Sequence, residues 1–62
     1  MSVIVTKSGD WYEVDIQNAR KIADALGGDA EHIKRRGIPY HEIYSLRDKL
    51  AAAGYELKEA SR

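Results

Sequence analysis

The sequence predicts a small α+β domain with the element order ββαααβ, and three observations support that fold class. β-Branched and aromatic residues flank a polar turn near the N-terminus, which is typical of a β-hairpin. Three segments with helical spacing of apolar residues follow, separated by breaks that contain glycine. A short alternating segment then predicts a C-terminal strand that completes a small sheet. We expect three strands, packed on the helices.

Length and composition limit the chain to one domain. The 62 residues, 44% of them hydrophobic, suffice for one small core, because a chain this short buries only about 60% of its unfolded surface. The absence of cysteine excludes disulfides and favours a reducing compartment. No segment reaches the roughly 7–15 apolar residues of a signal-peptide core or the ~20 of a membrane span. We therefore expect one domain over residues 1–62, located in the cytoplasm and without membrane contact.

The N-terminal hairpin is predicted from residues 3–5 and from the strand that begins at Trp11, on either side of a Ser-Gly-Asp turn. Successive side chains of a strand point to opposite faces of the sheet. Alternation therefore places Tyr12, Val14 and Ile16 toward the core. Trp11 should be partly exposed.

The first helix is predicted over residues 17–26, with Asp15 as its N-cap and Gly27-Gly28 as its left-handed exit. Apolar residues recur on one face of this helix: Ala19, Ile22, Ala23 and Leu26. A short second helix over residues 30–36 follows, capped by Asp29 and ended by Gly37.

The third helix is predicted from the Pro39 region to about residue 53, before Gly54. Four apolar residues define its inner face: Ile43, Leu46, Leu50 and Ala53. Among these, Leu46 and Leu50 should be the most buried. Residues 55–58 alternate as a strand that pairs with an edge of the hairpin, and residues 59–62 are expected to fray.

Charge is balanced overall but segregated along the chain. The formal net charge is +0, with 10 basic and 10 acidic residues, so global charge does not indicate a nucleic-acid partner. Residues 1–15 are acidic overall and residues 16–37 are basic overall. Lys34, Arg35 and Arg36 form a candidate phosphate clamp, which Arg20 and Lys21 would extend. The alternative is a solvated helix end stabilised by the helix dipole.

Residues 19–33 resemble the helix-turn-helix of small phage repressors and excisionases. Ala23 would let two helices cross closely, Gly27 would form the turn, and Ile33 would pack the second helix on the first. Two positions lack the aliphatic side chain of the family pattern: Gly28 and Arg36. The resemblance implies a DNA-binding transcription regulator of the phage or plasmid type. An ordinary helical hairpin is the alternative.

A second register lies in residues 38–60, which look like the recognition helix and wing entry of winged-helix regulators because a long helix ends in an Ala-Gly-aromatic step at Gly54-Tyr55. In this register the outward face would carry the following side chains: His41, Tyr44, Ser45, Asp48 and Ala52. This face has donors for base edges but little positive charge. A packing helix with a polar back is the alternative.

The aromatic residues suggest a protein partner instead of DNA. Tyr and Trp anchor protein interfaces, and Tyr12 and Tyr55 are expected to be core residues, which leaves Trp11 and Tyr44 as candidate anchors. The chain would then be an inhibitor or assembly adaptor of a phage or mobile element. A homodimer formed through a strand edge, with Trp11 at the contact, is expected in either case.

Catalytic chemistry is not predicted. His32 and His41 each lie beside a glutamate, but adjacent helical side chains point about 100° apart and do not form an acid–base pair. Asp29 follows Gly27-Gly28 and would repel a phosphate there. We expect no enzyme activity, cofactor or metal site. The sequence does not decide between DNA and protein as the target.

Overall fold

The computed structural model describes residues 1–60, which fold into a four-stranded sheet with helices packed on its buried face. The elements are β1 (Ser2–Ser8), β2 (Trp11–Glu13), α1 (Ile16–Leu26), α2 (Ala30–Arg36), β3 (Ile38–Pro39), a 3-10 turn (Tyr40–Glu42), α3 (Ile43–Ala52) and β4 (Glu56–Ala60). The predicted α+β class and the ββαααβ order are confirmed. β3 is an additional strand of two residues.

The strand order is β3-β2-β1-β4, with β1 antiparallel to β2 and parallel to β4. β4 pairs with residues 2–6 of β1, so the C-terminal strand joins the hairpin sheet as predicted. The expected fraying from residue 59 was wrong for Glu59 and Ala60, because both pair with β1, opposite Val5 and Thr6. Residues 61–62 lie outside the described residues. The expected three strands become four because Tyr12 and Trp11 of β2 pair with β3.

The core lies between the sheet and the helices. Its buried apolar residues are Val3, Val5, Tyr12, Val14, Ala19, Ile22, Ile38, Ile43 and Leu50. In α3, Ile43 and Leu50 are buried whereas Leu46 is only half-buried, because Leu46 borders an open groove between α2 and α3. Ala53 is exposed, since it caps α3 where the chain turns toward β4.

The two predicted N-caps are confirmed. One carboxylate oxygen of Asp15 accepts a hydrogen bond from the Asn18 backbone N–H at 2.8 Å, and Asp29 accepts one from the Glu31 N–H at 3.1 Å. The Asn18 backbone bond, helped by the Asn18 side chain, lowers the pKa of Asp15. α1 begins at Ile16. The sequence predicted a core position for this residue, but its side chain is only half-buried.

Tyr12 ties β2 to β4 across the buried face. Its hydroxyl donates a hydrogen bond to Oε1 of Glu59 at 2.7 Å, and its ring stacks on Tyr40 with centroids 6.1 Å apart. The bond to the Glu59 carboxylate, with burial of the ring and the Glu59 charge, raises the pKa of Tyr12 to about 12. Tyr12 is therefore held as the neutral phenol in the folded state.

This hydrogen bond should make the domain lose stability in alkali. Between the unfolded pKa of 10.0 and the folded pKa of about 12, the native state keeps the Tyr12 proton that the unfolded state releases. The free energy of unfolding should fall with rising pH across that window. In urea denaturation, Tyr12→Phe should lose the fall in unfolding free energy that comes from Tyr12 titration. Tyr44→Phe, which changes an exposed ring, should show the same fall as the parent. An alkaline loss that is unchanged in Tyr12→Phe would contradict the assignment.

Candidate nucleic-acid interface

A surface cleft between β2 and the C-terminal end of α2 brings together an aromatic ring and the predicted phosphate clamp. Trp11, Lys34, Arg35 and Arg36 all line it, together with Glu13. Its volume of about 480 Å³ lies within the range of ligand clefts, roughly 300–1,000 Å³. We call this surface the Trp11 cleft.

The alternation of β2 explains why the indole ring reaches the surface. Tyr12 points into the core, so its neighbours Trp11 and Glu13 point to the other face of the sheet. Trp11 is 47% exposed there and lies opposite Ser8 of β1. The small Ser8 side chain leaves much of the ring uncovered, and the predicted partial exposure of Trp11 is confirmed.

Gly37 explains why the cations reach the same place. It ends α2 with a φ of 74°, and a Cβ atom at this position would lie 3.1 Å from the carbonyl oxygen of Tyr12. Only glycine allows that approach without displacing the neighbouring backbone. The following residue, Ile38, pairs with Tyr12 in the sheet. The end of α2 is therefore held directly against β2.

The three cations differ in how they are engaged. Arg36 forms an ion pair with Glu42 at 3.0 Å, and both side chains are about half exposed. Such surface pairs contribute only about 0–1 kcal/mol, so an anion can compete for the guanidinium. Lys34 and Arg35 are exposed and form no ion pair within residues 1–60. They also line a neighbouring depression with Ile16 and Glu31.

The proposed extension of the clamp lies elsewhere. Lys21 donates a hydrogen bond from Nζ to the carbonyl oxygen of Ser2 at 3.0 Å, so it anchors the start of β1. Arg20 is exposed on α1 and does not line the Trp11 cleft. Neither cation adds to the charge of the cleft.

The candidate residues of the winged-helix register also lie apart from the Trp11 cleft. Ser45 lines a groove of about 210 Å³ bounded by α1, α2 and α3. His41 is exposed in the 3-10 turn. Tyr44 is 63% exposed, and the Arg47 guanidinium lies 5.7 Å from its ring centroid while donating to Glu59 at 2.9 Å.

The helix pair α1–α2 has the packing contacts of the resemblance but an unusual distribution of charge. Ile22 is buried, and Ile33 of the second helix is half-buried against the same core. A helix-turn-helix presents the N-terminal residues of its second helix to base edges. In α2 the N-cap is Asp29 and the first turn carries Glu31, whereas the cations lie at the opposite end of the helix.

No protein-family model, curated protein or solved structure matches this chain, so its function is proposed from its geometry. Within residues 1–60, no three His, Asp or Glu side chains are grouped so as to hold a metal ion. Over the same described part of the chain, every helix is too short or too polar to cross a membrane.

Proposed function

We propose that this protein is a non-enzymatic DNA-binding regulator of the cytoplasm that contacts phosphates through the Trp11 cleft. The observation that supports this proposal is the placement of Lys34, Arg35 and Arg36 beside an exposed Trp11. Cations bind the phosphate backbone of any sequence, and an exposed aromatic ring adds a surface for bases.

The balance of charge sets the strength of this interaction. The chain is neutral overall, and Glu13 and Glu42 lie near the same cations. Two or three phosphate contacts from one protomer therefore support weak, salt-sensitive binding. A homodimer would double these contacts and is part of the proposal.

The contact is proposed for the C-terminal end of α2 and not for its first turn. The helix dipole favours cations at that end, which explains their presence without a ligand. The dipole has no bearing on the exposed indole ring next to them, and Trp is a residue type that is enriched at binding surfaces. The conjunction of ring and cations therefore favours a ligand that has both phosphates and planar groups.

Protein interaction is the second candidate function, favoured by a different surface. Tyr44 is the most exposed tyrosine of the domain, at 63%, and it lies on α3 away from the Trp11 cleft. The edges of the described sheet are β3 and β4, and a strand-edge dimer would use β4 because β3 has two residues and one of them, Pro39, lacks a backbone N–H. Trp11 lies two strands away from β4, so it would lie outside this contact and not at it as the sequence suggested, and the dimer and the Trp11 cleft are compatible.

The salt dependence of DNA binding tests the first proposal. Arg35→Ala should weaken binding to duplex and heat-denatured DNA of any sequence and reduce the slope of log affinity against log salt by about 0.7–0.9, one phosphate contact. Lys49→Ala removes an exposed charge that lies outside the Trp11 cleft, in the groove between α1, α2 and α3, and should leave the slope unchanged. Fluorescence anisotropy of labelled DNA, starting at low salt, measures both quantities.

Two results would contradict the proposal. The first is the absence of binding to either form of DNA at low salt, which would leave Lys34–Arg36 as a solvated helix end and favour the protein-interaction function. The second is an equal loss in the Arg35→Ala and Lys49→Ala variants. That result would show a diffuse charge effect without a site.

A further inference from the structure

We infer that the ligand of the Trp11 cleft is single-stranded DNA, with one unpaired base stacked on the Trp11 ring and adjacent phosphates on Lys34 and Arg35. This inference rests on the proposed function and specifies the form of DNA. The exposed ring, Lys34 and Arg35 line one cleft, so base and backbone contacts are available together.

The geometry of Trp11 favours an unpaired base. The ring belongs to a strand of the sheet and is 47% exposed beside the end of α2. Base faces inside a duplex are already stacked on one another, so they offer no surface to a ring held in a cleft. Single-stranded bases do offer that surface, and every base has a planar face that can stack.

The helices offer little for reading a duplex. The major groove admits an α-helix, but α2 has only seven residues, about 10.5 Å, and its first turn is acidic. The exposed face of α3 carries Asp48, and the nearby Arg47 is already bound to Glu59. Ser45 and Lys49 are an exposed donor and an exposed cation of α3, and they line the groove between α1, α2 and α3 and not the Trp11 cleft.

The open face of the sheet continues beyond the cleft and extends the path for a strand. Ile4 is 47% exposed and pairs with Lys58, and both project from the face that carries Trp11. From the strand spacing and rise, Trp11 and Lys58 are separated by about 16 Å, the length of a few nucleotides. Glu13 and Glu56 lie on the same face and limit its positive charge. Affinity should therefore depend on stacking as well as on phosphate contacts.

The test uses the intrinsic fluorescence of Trp11, the single tryptophan of the chain. An oligothymidylate of about 12 nucleotides should quench this emission on binding. Trp11→Ala should weaken binding by about 5–150-fold, which corresponds to the loss of one stacked base. The affinity is measured by the fluorescence anisotropy of a labelled strand. Trp11→Phe should retain most of the affinity. Tyr44→Ala, which removes a more exposed ring outside the cleft, should bind like the parent.

Two further probes separate this inference from the proposed function. The same oligothymidylate annealed to its oligoadenylate complement should bind more weakly than the single strand. Inorganic polyphosphate, which has the charge without bases, should compete poorly and should not quench Trp11. Circular dichroism checks that each variant is folded. If Trp11→Ala is unfolded, the inference is tested by two other results: the affinity of Trp11→Phe and the quenching of Trp11 emission in the parent protein.

Each other outcome has one meaning. Duplex binding that equals or exceeds single-strand binding, with unchanged Trp11 emission, would overturn the single-strand inference and leave the proposed function standing. Polyphosphate that competes as well as the single strand would overturn base stacking in the same way. The absence of binding to every nucleic acid would overturn both proposals.

Discussion

Replacement of Leu50 by alanine is expected to lower the free energy of unfolding by about 2–5 kcal/mol, the usual cost of removing a large apolar side chain from a core. Leu50 is 0% exposed and is the largest fully buried side chain of the domain. A domain of this size has only about 3–5 kcal/mol of stability from its core. The variant should therefore be largely unfolded at 37 °C, as measured by thermal and urea denaturation.

Leu26→Ala is the matched control, because Leu26 is 38% exposed at the end of α1 and loses less contact when truncated. It should cost less than about 1 kcal/mol. If Leu50→Ala melted like Leu26→Ala, the packing of α3 on the sheet would have to be revised.

Replacement of Asn18 by alanine should lower the free energy of unfolding by about 2–3 kcal/mol, because two polar groups lose their partners. Oδ1 of Asn18 accepts a hydrogen bond from the Ile4 backbone N–H at 2.9 Å, and Nδ2 donates to Asp15 at 2.9 Å. Asn18 is the buried polar residue of the described core. Its side chain accepts the hydrogen bond of a β1 backbone N–H at Ile4, beyond the residues of β1 that pair with β2.

Hydrogen exchange gives this prediction a specific readout. The Ile4 amide should exchange faster in Asn18→Ala because its acceptor is missing. The other core amides of β1 should exchange faster only as far as the global free energy of unfolding falls. Gln17→Ala changes an exposed polar side chain on the same helix and should stay within about 0.5 kcal/mol of the parent. Unchanged Ile4 exchange in the Asn18 variant would contradict the role of this hydrogen bond.

The anchoring of α2 bears on how the Trp11 cleft works. α2 has no fully buried residue, and its partly buried side chains are Ala30 and Ile33. Its C-terminal end is held instead through Gly37 and the pairing of Ile38 with Tyr12. The cations therefore stand on a lightly packed helix whose end is fixed by backbone contacts, which keeps them beside Trp11 while leaving their side chains free to adapt.

Local patterns in the sequence predicted the fold class, the helices and the caps. Asp15 and Asp29 cap helices because a short carboxylate satisfies free N–H groups wherever a helix begins, and this depends on neighbours within three residues. The alternation around Tyr12 predicted its burial and the exposure of Trp11 in the same way. Lys34–Arg36 and Trp11 were each identified as candidates, but separately.

Only the tertiary structure decided which of these residues share a surface. β3 has two residues and no pattern of its own, so its pairing with β2 depends on contacts made after α2 has packed. The burial of Ile43 over Leu46 depends on where α3 crosses the sheet, because helical periodicity defines a face and not its centre. Gly37 was visible as a helix stop, but its 3.1 Å approach to the Tyr12 carbonyl exists only between elements distant in sequence. That contact sets the cations beside Trp11, because side-chain neighbours across a fold are determined by backbone packing that local sequence does not encode.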